Sequence, residues 1–411
     1  MFQKQFFQNY DFLKKKVYFS DSDFDVGLKK VNSALFLGLL SGLAGKNCLF
    51  MGDYGLGKTK LSSSLAAMVS GVSEDNVLKD SLKGHPDLSL ENIVGRPDLG
   101  ALNKGVEKVI WSSFVKSSVK VVDEINRMRE STQNILLSGL QSGKWSYLNG
   151  CFSAEDSGVY ATANYPDSGN NSLIPPLLDR FDIALECKRG GANIDRYMRH
   201  NSSRKVDVRS DVYSSDEFRD LFEKENDVTL FDEKDKHSFV KQISNQKYSE
   251  DANLFMDVFI AELGTCQVFG SKRAVDKCPS SCPYTDFSCY DVDGALSFRS
   301  SSAIDFFSKA LSYLRESSEV LPRDIVQVAP YAIWHKSTFR SDLVRDSSDR
   351  IRGDPVNLAV AKNVVSSVYK RFDDIKGQQK SAINAILAED VTGLEDILAN
   401  SNHPVFREYL K

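Results

Sequence analysis

The stretch "NCLFMGDYGLGKT", Asn47–Thr59, decides how this chain is read. "NCLFM" is a short apolar run of strand character. A glycine-rich loop follows, and then "KLSSSLAAMVSGV", which has helical character. Inside this strand, loop and helix, Gly52–Thr59 fits the pattern G-x-x-x-x-G-K-[ST]. Glycines let a backbone wrap closely around phosphate groups, and the N–H groups at the helix start then face the anion. The candidate nucleotide-binding residues are Gly52, Asp53, Tyr54, Gly55, Leu56, Gly57, Lys58 and Thr59, with Leu61 behind them. Lys58 is placed to neutralise β- and γ-phosphate charge, and Thr59 to offer its hydroxyl to Mg²⁺. A chance Lys-Thr after a plain glycine turn is the bland alternative. The strand before the loop and the helix after it speak against that.

A phosphate loop needs a second strand that ends on an acid. "VVDEINRMRESTQNILL", Val121–Leu137, supplies one. Alone, Asp123 and Glu124 could be a strand terminus reaching solvent. Beside the loop, Asp123 fits the Mg²⁺ shell and Glu124 fits a general base that polarises water. The residues after them have helical spacing, with Ile135, Leu136 and Leu140 on one face. "KWSYLNGCFSA" reads as a β-hairpin with a type I′ turn at Asn149-Gly150. "SGVYATANYPD" is a third core strand, and Asn164 at its end could orient water or simply belong to a turn. In "PPLLDRFD" Arg180 is either an arginine finger or an intrachain partner of Asp179 or Asp182. Strands alternating with helices imply an α/β layer around a parallel sheet.

The bulk numbers fit this picture. A chain of 411 residues makes two or three domains. Its 41% hydrophobic and 26% charged residues are ordinary for a globular protein with a real core. The net charge of -4 gives no global attraction to nucleic acid or acidic membranes. The longest apolar stretch, from Ala34, is too short to span a bilayer, and the N-terminus lacks the features of a signal peptide. The expectation is a cytoplasmic protein with reduced thiols.

The order of these segments resembles the MoxR family of AAA+ ATPases. The resemblance rests on the phosphate loop (Walker A), "DEINR" (Walker B), "TQNILLSGL", the hairpin, "ATANYP" and "LLDRF", and is densest from about Leu35 to Glu186. "HPDLSLENIVGRPD" looks like the insertion in the second helix found in this clade. "GALSFRSSSAIDFFSKAL" is similar to the family's lid motif, which implies that Arg299 is the sensor 2 arginine, although Phe298 stands where the family has proline. "LPRDIVQVAPYAIWHKS" resembles its last lid helices. The resemblance implies an AAA+ αβα core at 1–186, a connection at 187–229, a mostly helical lid at 230–376 and a helical appendage at 377–411. It also implies ATP and Mg²⁺ as cofactors, and a homo-oligomeric, usually hexameric ring. That ring would remodel a protein client, often a von Willebrand A-domain protein or a metalloenzyme.

Two stretches depart from the family: the connection at 187–229 is poorly matched, and the lid carries a cysteine-rich run. "CQVFGSKRAVDKCPSSCPYTDFSC" places Cys266, Cys278, Cys282 and Cys289 in the spacing C-x11-C-x3-C-x6-C. Four thiolates could hold a structural Zn²⁺ and staple an otherwise coreless insertion at 266–289. Separate buried thiols or disulfides are the alternatives. Two other functions compete with a protein remodeller. A nucleic-acid motor of helicase or restriction-translocase type is disfavoured by the acidic charge and the uncharged tip Asn149-Gly150. An idle nucleotide scaffold is disfavoured by the intact set Lys58, Asp123, Glu124 and Asn164.

Overall fold

The computed structural model describes residues 2–17, 22–154, 157–165, 171–188, 215–270, 278–279, 281–294, 296–348 and 355–409. Most of the expected connection at 187–229, and Pro166 and Asp167 of the third core strand's turn, lie outside the described residues. Two compact units divide the chain, Met1–Lys241 and Gln242–Lys411.

After a short antiparallel pair, β1 (Phe24–Val26) and β2 (Lys29–Val31), the first unit is built on five parallel strands. They are β3 (Cys48–Gly52), β4 (Leu82–Lys83), β7 (Lys120–Asp123), β10 (Val159–Asn164) and β11 (Ile183–Glu186). Their spatial order is β11-β3-β10-β7-β4. Because every pairing is parallel, all five C-terminal ends lie along one edge, where α/β sheets place their ligands. The helix α2 (Ser33–Leu43) is buried along its whole length, which explains its almost unbroken apolar sequence. Asn32 caps it by accepting from Leu35 N at 2.9 Å. The helix α3 (Lys58–Ser70) continues from the loop after β3 and buries Leu61, Leu65, Ala66 and Val69. The N-terminal helix α1 (Phe2–Val17) adds an aromatic cluster. Phe6 lies 5.2 Å and Tyr10 6.2 Å, centroid to centroid, from Phe36 of α2.

Two antiparallel hairpins interrupt this layer. The first pairs β5 (Gly95–Pro97) with β6 (Val109–Trp111), between the short helices Leu90–Ile93 and Ser113–Lys116. The second pairs β8 (Lys144–Tyr147) with β9 (Gly150–Ser153). Trp111 and Phe152 pack the hairpins together, with ring centroids 5.8 Å apart. The expected turn at Asn149-Gly150 is corrected by one residue. Tyr147 pairs with Gly150, so Leu148 and Asn149 form the loop. Leu148 carries the positive φ of 48°, as the first loop residue of a type II′ turn would. Gly150 is taken into the strand because Trp111 and Val109 crowd it, leaving only 3.1 Å to a Cβ built there.

The second unit is mostly helical. Its main helices are Glu250–Leu263, Phe298–Leu314, Pro322–Ile333 and Val356–Leu387. The last is one continuous helix through 376 and 377, so the expected start of an appendage there is not a break in the chain's structure. None of the described helices is long and apolar enough to cross a membrane.

The zinc expectation is corrected here. Among the described residues no three His, Cys, Asp or Glu side chains gather to hold a metal, and none of the seven cysteines is in a disulfide. A buried ion pair grips the end of the segment at Ser288. Arg371 meets Glu262 through Nε at 2.9 Å and Nη2 at 2.6 Å. Glu262 accepts from Ser288 N at 3.0 Å, and Arg371 donates to Ser288 Oγ at 2.6 Å. His403 closes the network on Glu262 at 3.1 Å. Burial alone would raise the Glu262 pKa, but the bonds from His403, Arg371 and Ser288 bring it below the usual value. The Cys289 thiol donates to Tyr284 O at 3.7 Å, and the backbone of Cys266 pairs with that of Gly270.

Lys120 begins β7 and is only 1% exposed. Its Nζ donates to Ser117 O at 2.8 Å and Ser157 Oγ at 2.9 Å. Burial pushes its pKa down from 10.5 to about 8. Between those values the unfolded chain binds more protons than the folded one, so stability rises with pH across that window. Below about pH 8 the full unfavourable contribution is present. Lys120→Met removes the titration. Urea denaturation at pH 7 and 10.5 is expected to show wild type gaining about 2–3 kcal/mol relative to Lys120→Met. Parallel pH curves would mean that the ammonium is not desolvated.

Candidate active site

Three strand ends and one helix start build the site. The loop after β3 turns into α3 through Gly57, whose backbone is left-handed at φ 76° and ψ 19°. Gly55 is also left-handed, at φ 73°, and a Cβ on either residue would meet nothing within 4 Å. These glycines therefore supply a backbone shape and leave open space in front of it. Lys58 Nζ donates to Gly52 O at 2.9 Å and Asp53 O at 2.6 Å. Burial lowers its pKa, opposed by Cys187, Asp123, Asp53 and Glu124 around it. Tyr54 is exposed, whereas Leu61 is fully buried. Leu61, expected among the nucleotide-binding residues, buries its side chain in the core.

Asp123 ends β7 and receives two hydroxyls on one oxygen. Thr59 Oγ1 donates to Asp123 Oδ1 at 2.8 Å, and Thr162 Oγ1 donates to the same atom at 2.6 Å. Glu124 follows in a left-handed conformation, φ 51° and ψ 48°. Its backbone N donates to Thr162 Oγ1 at 2.8 Å. Its carboxylate accepts from Asn164 Nδ2 at 3.3 Å and lies 3.1 Å from Arg127 Nε. Asn126 ties the turn to the end of β10. Its Nδ2 donates to Asn164 O at 3.0 Å, and Asn164 N donates to its Oδ1 at 3.4 Å.

The structure thus brings together Lys58, Thr59, Asp123, Glu124 and Asn164. Arg180 stands with Asp179, Nη1 to Oδ2 at 3.7 Å, and its side chain is 12% exposed. Asn47 anchors that segment from the foot of β3. It donates from Nδ2 to Arg180 O at 3.0 Å and from its backbone N to Asp182 Oδ2 at 2.8 Å. Arg299 belongs to the second unit, exposed in the first turn of Phe298–Leu314. Thr162, Asn126 and Arg127 were not among the residues expected at the site. One signal was available for Thr162, since it lies two residues before Asn164 on a strand and so shares its face.

The residues present fit Mg–ATP. Thr59 and Asp123 form an all-oxygen pair of the kind Mg²⁺ takes, and the open glycine loop offers backbone to phosphate. Residues 47–181 match the AAA domain family, dynein-related subfamily. The chain is 30% identical over 160 residues to the structural protein ORF618 of Acidianus two-tailed virus. That match spans 38% of this chain and about a quarter of the viral protein's length. A crystal structure described as a "putative ATPase" from Cytophaga hutchinsonii superposes with a TM-score of 0.57 at 15% identity. It covers 89% of this chain and 96% of that one, and shows a shared fold. Residues 47–181 are thus similar to an AAA domain.

Asn126→Leu leaves the buried N–H and C=O of Asn164 without their partners, and is expected to lower stability by about 1–3 kcal/mol. ATP turnover should fall while nucleotide binding through Lys58 persists. A shifted denaturation midpoint with unchanged turnover would confine Asn126 to the fold.

Proposed function

We propose that this chain is a Mg²⁺-dependent, MoxR-like AAA+ remodelling ATPase that works on a protein client as a homo-oligomeric, hexameric ring. The observation that carries the ATPase part is the meeting of Lys58, Thr59, Asp123, Glu124 and Asn164 at one edge of the parallel sheet. Bound Mg–ATP supplies the phosphoryl group and the metal charge. Lys58 and the loop N–H groups bind phosphate, and Thr59 and Asp123 face the metal. Glu124 takes the proton of the attacking water on its carboxylate, and Asn164 orients that carboxylate through its amide. Protein-client work is supported by the paired hairpins, which expose Leu99, Leu102, Val106 and Leu148 on one part of the core. A von Willebrand A-domain client is what the family resemblance suggests, and a cytoplasmic setting rests on the sequence reading of the N-terminus and the thiols.

Two experiments test this. Lys58→Ala should abolish ATP binding, because the loop loses its side-chain cation. Glu124→Gln should bind ATP and turn it over about 10²–10⁴-fold more slowly, because the amide cannot accept a proton. Near wild-type turnover in Glu124→Gln would remove Glu124 from the chemistry. The same variant, held in its ATP state, is the bait for client capture, and a duplex-DNA arm that stimulated turnover would favour a nucleic-acid motor instead.

Arg180 is proposed as a finger acting on the neighbouring subunit's nucleotide, where such a cation is worth about 10³–10⁵-fold in rate. Lys58→Ala and Arg180→Ala chains carry opposite defects, so mixed rings should regain activity that neither parent has. If rings demonstrably exchange subunits and activity stays flat, Arg180 is a structural partner of Asp179.

A further inference from the structure

Thr162 stands between the two acids and touches both. Its side chain is fully buried, so no bulk water competes for its hydroxyl. A threonine hydroxyl has one hydrogen and two lone pairs. The hydrogen goes to Asp123 Oδ1 at 2.6 Å, and a lone pair takes the Glu124 N–H at 2.8 Å. Thr59 places its own hydrogen on the same Asp123 oxygen, at 2.8 Å. The carboxylate that faces the metal is thus fixed from two sides, by the loop helix and by β10. The backbone of both acids is pinned as well. Gly84 N donates to Asp123 O at 2.7 Å. A Cβ on Gly84 would lie 2.0 Å from Glu124 O, so only glycine lets the left-handed turn sit there.

We propose that Thr162 is a positioning residue that couples the metal-facing acid Asp123 to the general base Glu124, an inference that rests on the ATPase reading above. Its hydroxyl sets the rotation of the Asp123 carboxylate and, with the same oxygen atom, holds the backbone turn that delivers Glu124. Losing the hydroxyl releases both acids together. Valine keeps the shape of the side chain and removes both bonds. Serine keeps both bonds and removes a methyl group.

The test compares wild type, Thr162→Val and Thr162→Ser. ATP turnover is titrated against Mg²⁺, and binding of a fluorescent ATP analogue is measured in EDTA. Thr162→Val is expected to lose about 10–100-fold in kcat and to need about 10-fold more Mg²⁺ at half-saturation, the range seen when a partner of a metal ligand is removed. Metal-free affinity for the analogue should stay near wild type, because the loop and Lys58 are untouched. Thr162→Ser should restore both kcat and the Mg²⁺ midpoint. A Thr162→Val protein with wild-type kcat and Mg²⁺ midpoint overturns the proposal. So does equal impairment of the serine and valine variants, or loss of metal-free affinity together with turnover, since either points to general damage. If melting curves show that the valine variant does not fold, Thr162→Ala takes its place under the same criteria. If wild type itself hydrolyses nothing, the ATPase reading fails. The Mg²⁺ dependence of analogue binding then still decides whether Thr162 holds Asp123.

Discussion

The parallel pairing of β10 on both sides is the constraint on which the site depends. On one side it runs in register with β3, so that Asn164 stands level with Gly52 at the start of the phosphate loop. On the other side it pairs with β7 from Val159↔Lys120 to Ala161↔Val122, which carries Thr162 up beside Asp123. A slip of one residue along either edge would turn Thr162 and Asn164 to the opposite face and bring alanines in their place. Apolar burial fixes that register from the far side of the sequence pattern. Val159, Ala161 and Ala163 fill one face of β10. Tyr160 anchors the other, its hydroxyl donating to Gly38 O of α2 at 2.8 Å.

The parts of the site that were legible in sequence are those whose chemistry is local. Gly52–Thr59 is contiguous, and its strand and helix adjoin it, so one short window carries the whole argument. Asp123 and Glu124 became readable once the loop demanded a second acid-ended strand. Thr162, Gly84 and Asn126 act through space. Gly84 matters because of how close it comes to the carbonyl of Glu124, and that approach exists only after β4 has paired with β7. Asn126 was visible as a letter in "DEINR", but its use as a clamp on Asn164 depends on two chain segments meeting.

Where sequence expectations failed, a spacing had been asked to do the work of a shape. Four cysteines close together in sequence suggested a metal, yet the ion pair of Glu262 and Arg371 already grips that segment at Ser288. The side chains involved, from 262, 288, 371 and 403, are too far apart in the chain for any local pattern to show them. The hairpin misreading has the same origin. Asn-Gly favours a tight turn in isolation, but Trp111, brought in from the neighbouring hairpin, packs against Gly150 and the loop moves back by one residue.

Adjacent acids pose a geometric problem that the backbone of Glu124 resolves. In an extended strand successive side chains point to opposite faces, so Asp123 and Glu124 could not both serve one site if β7 simply continued. The chain leaves the strand at Glu124 by entering the left-handed region, at φ 51°. For a residue with a Cβ this conformation is unfavourable by roughly 1–3 kcal/mol, and it persists only where surrounding contacts over-determine it. Here those contacts are identifiable. Thr162 accepts the Glu124 N–H, Arg127 N donates to the Glu124 carbonyl at 2.9 Å, and Gly84 leaves the space beside that carbonyl open. Asn164 and Arg127 then hold the carboxylate itself. The strained turn sets two neighbouring carboxylates on one side of the sheet, Asp123 beside Thr59 and Glu124 beside Asn164, which is the arrangement the proposed division of labour between metal and water needs.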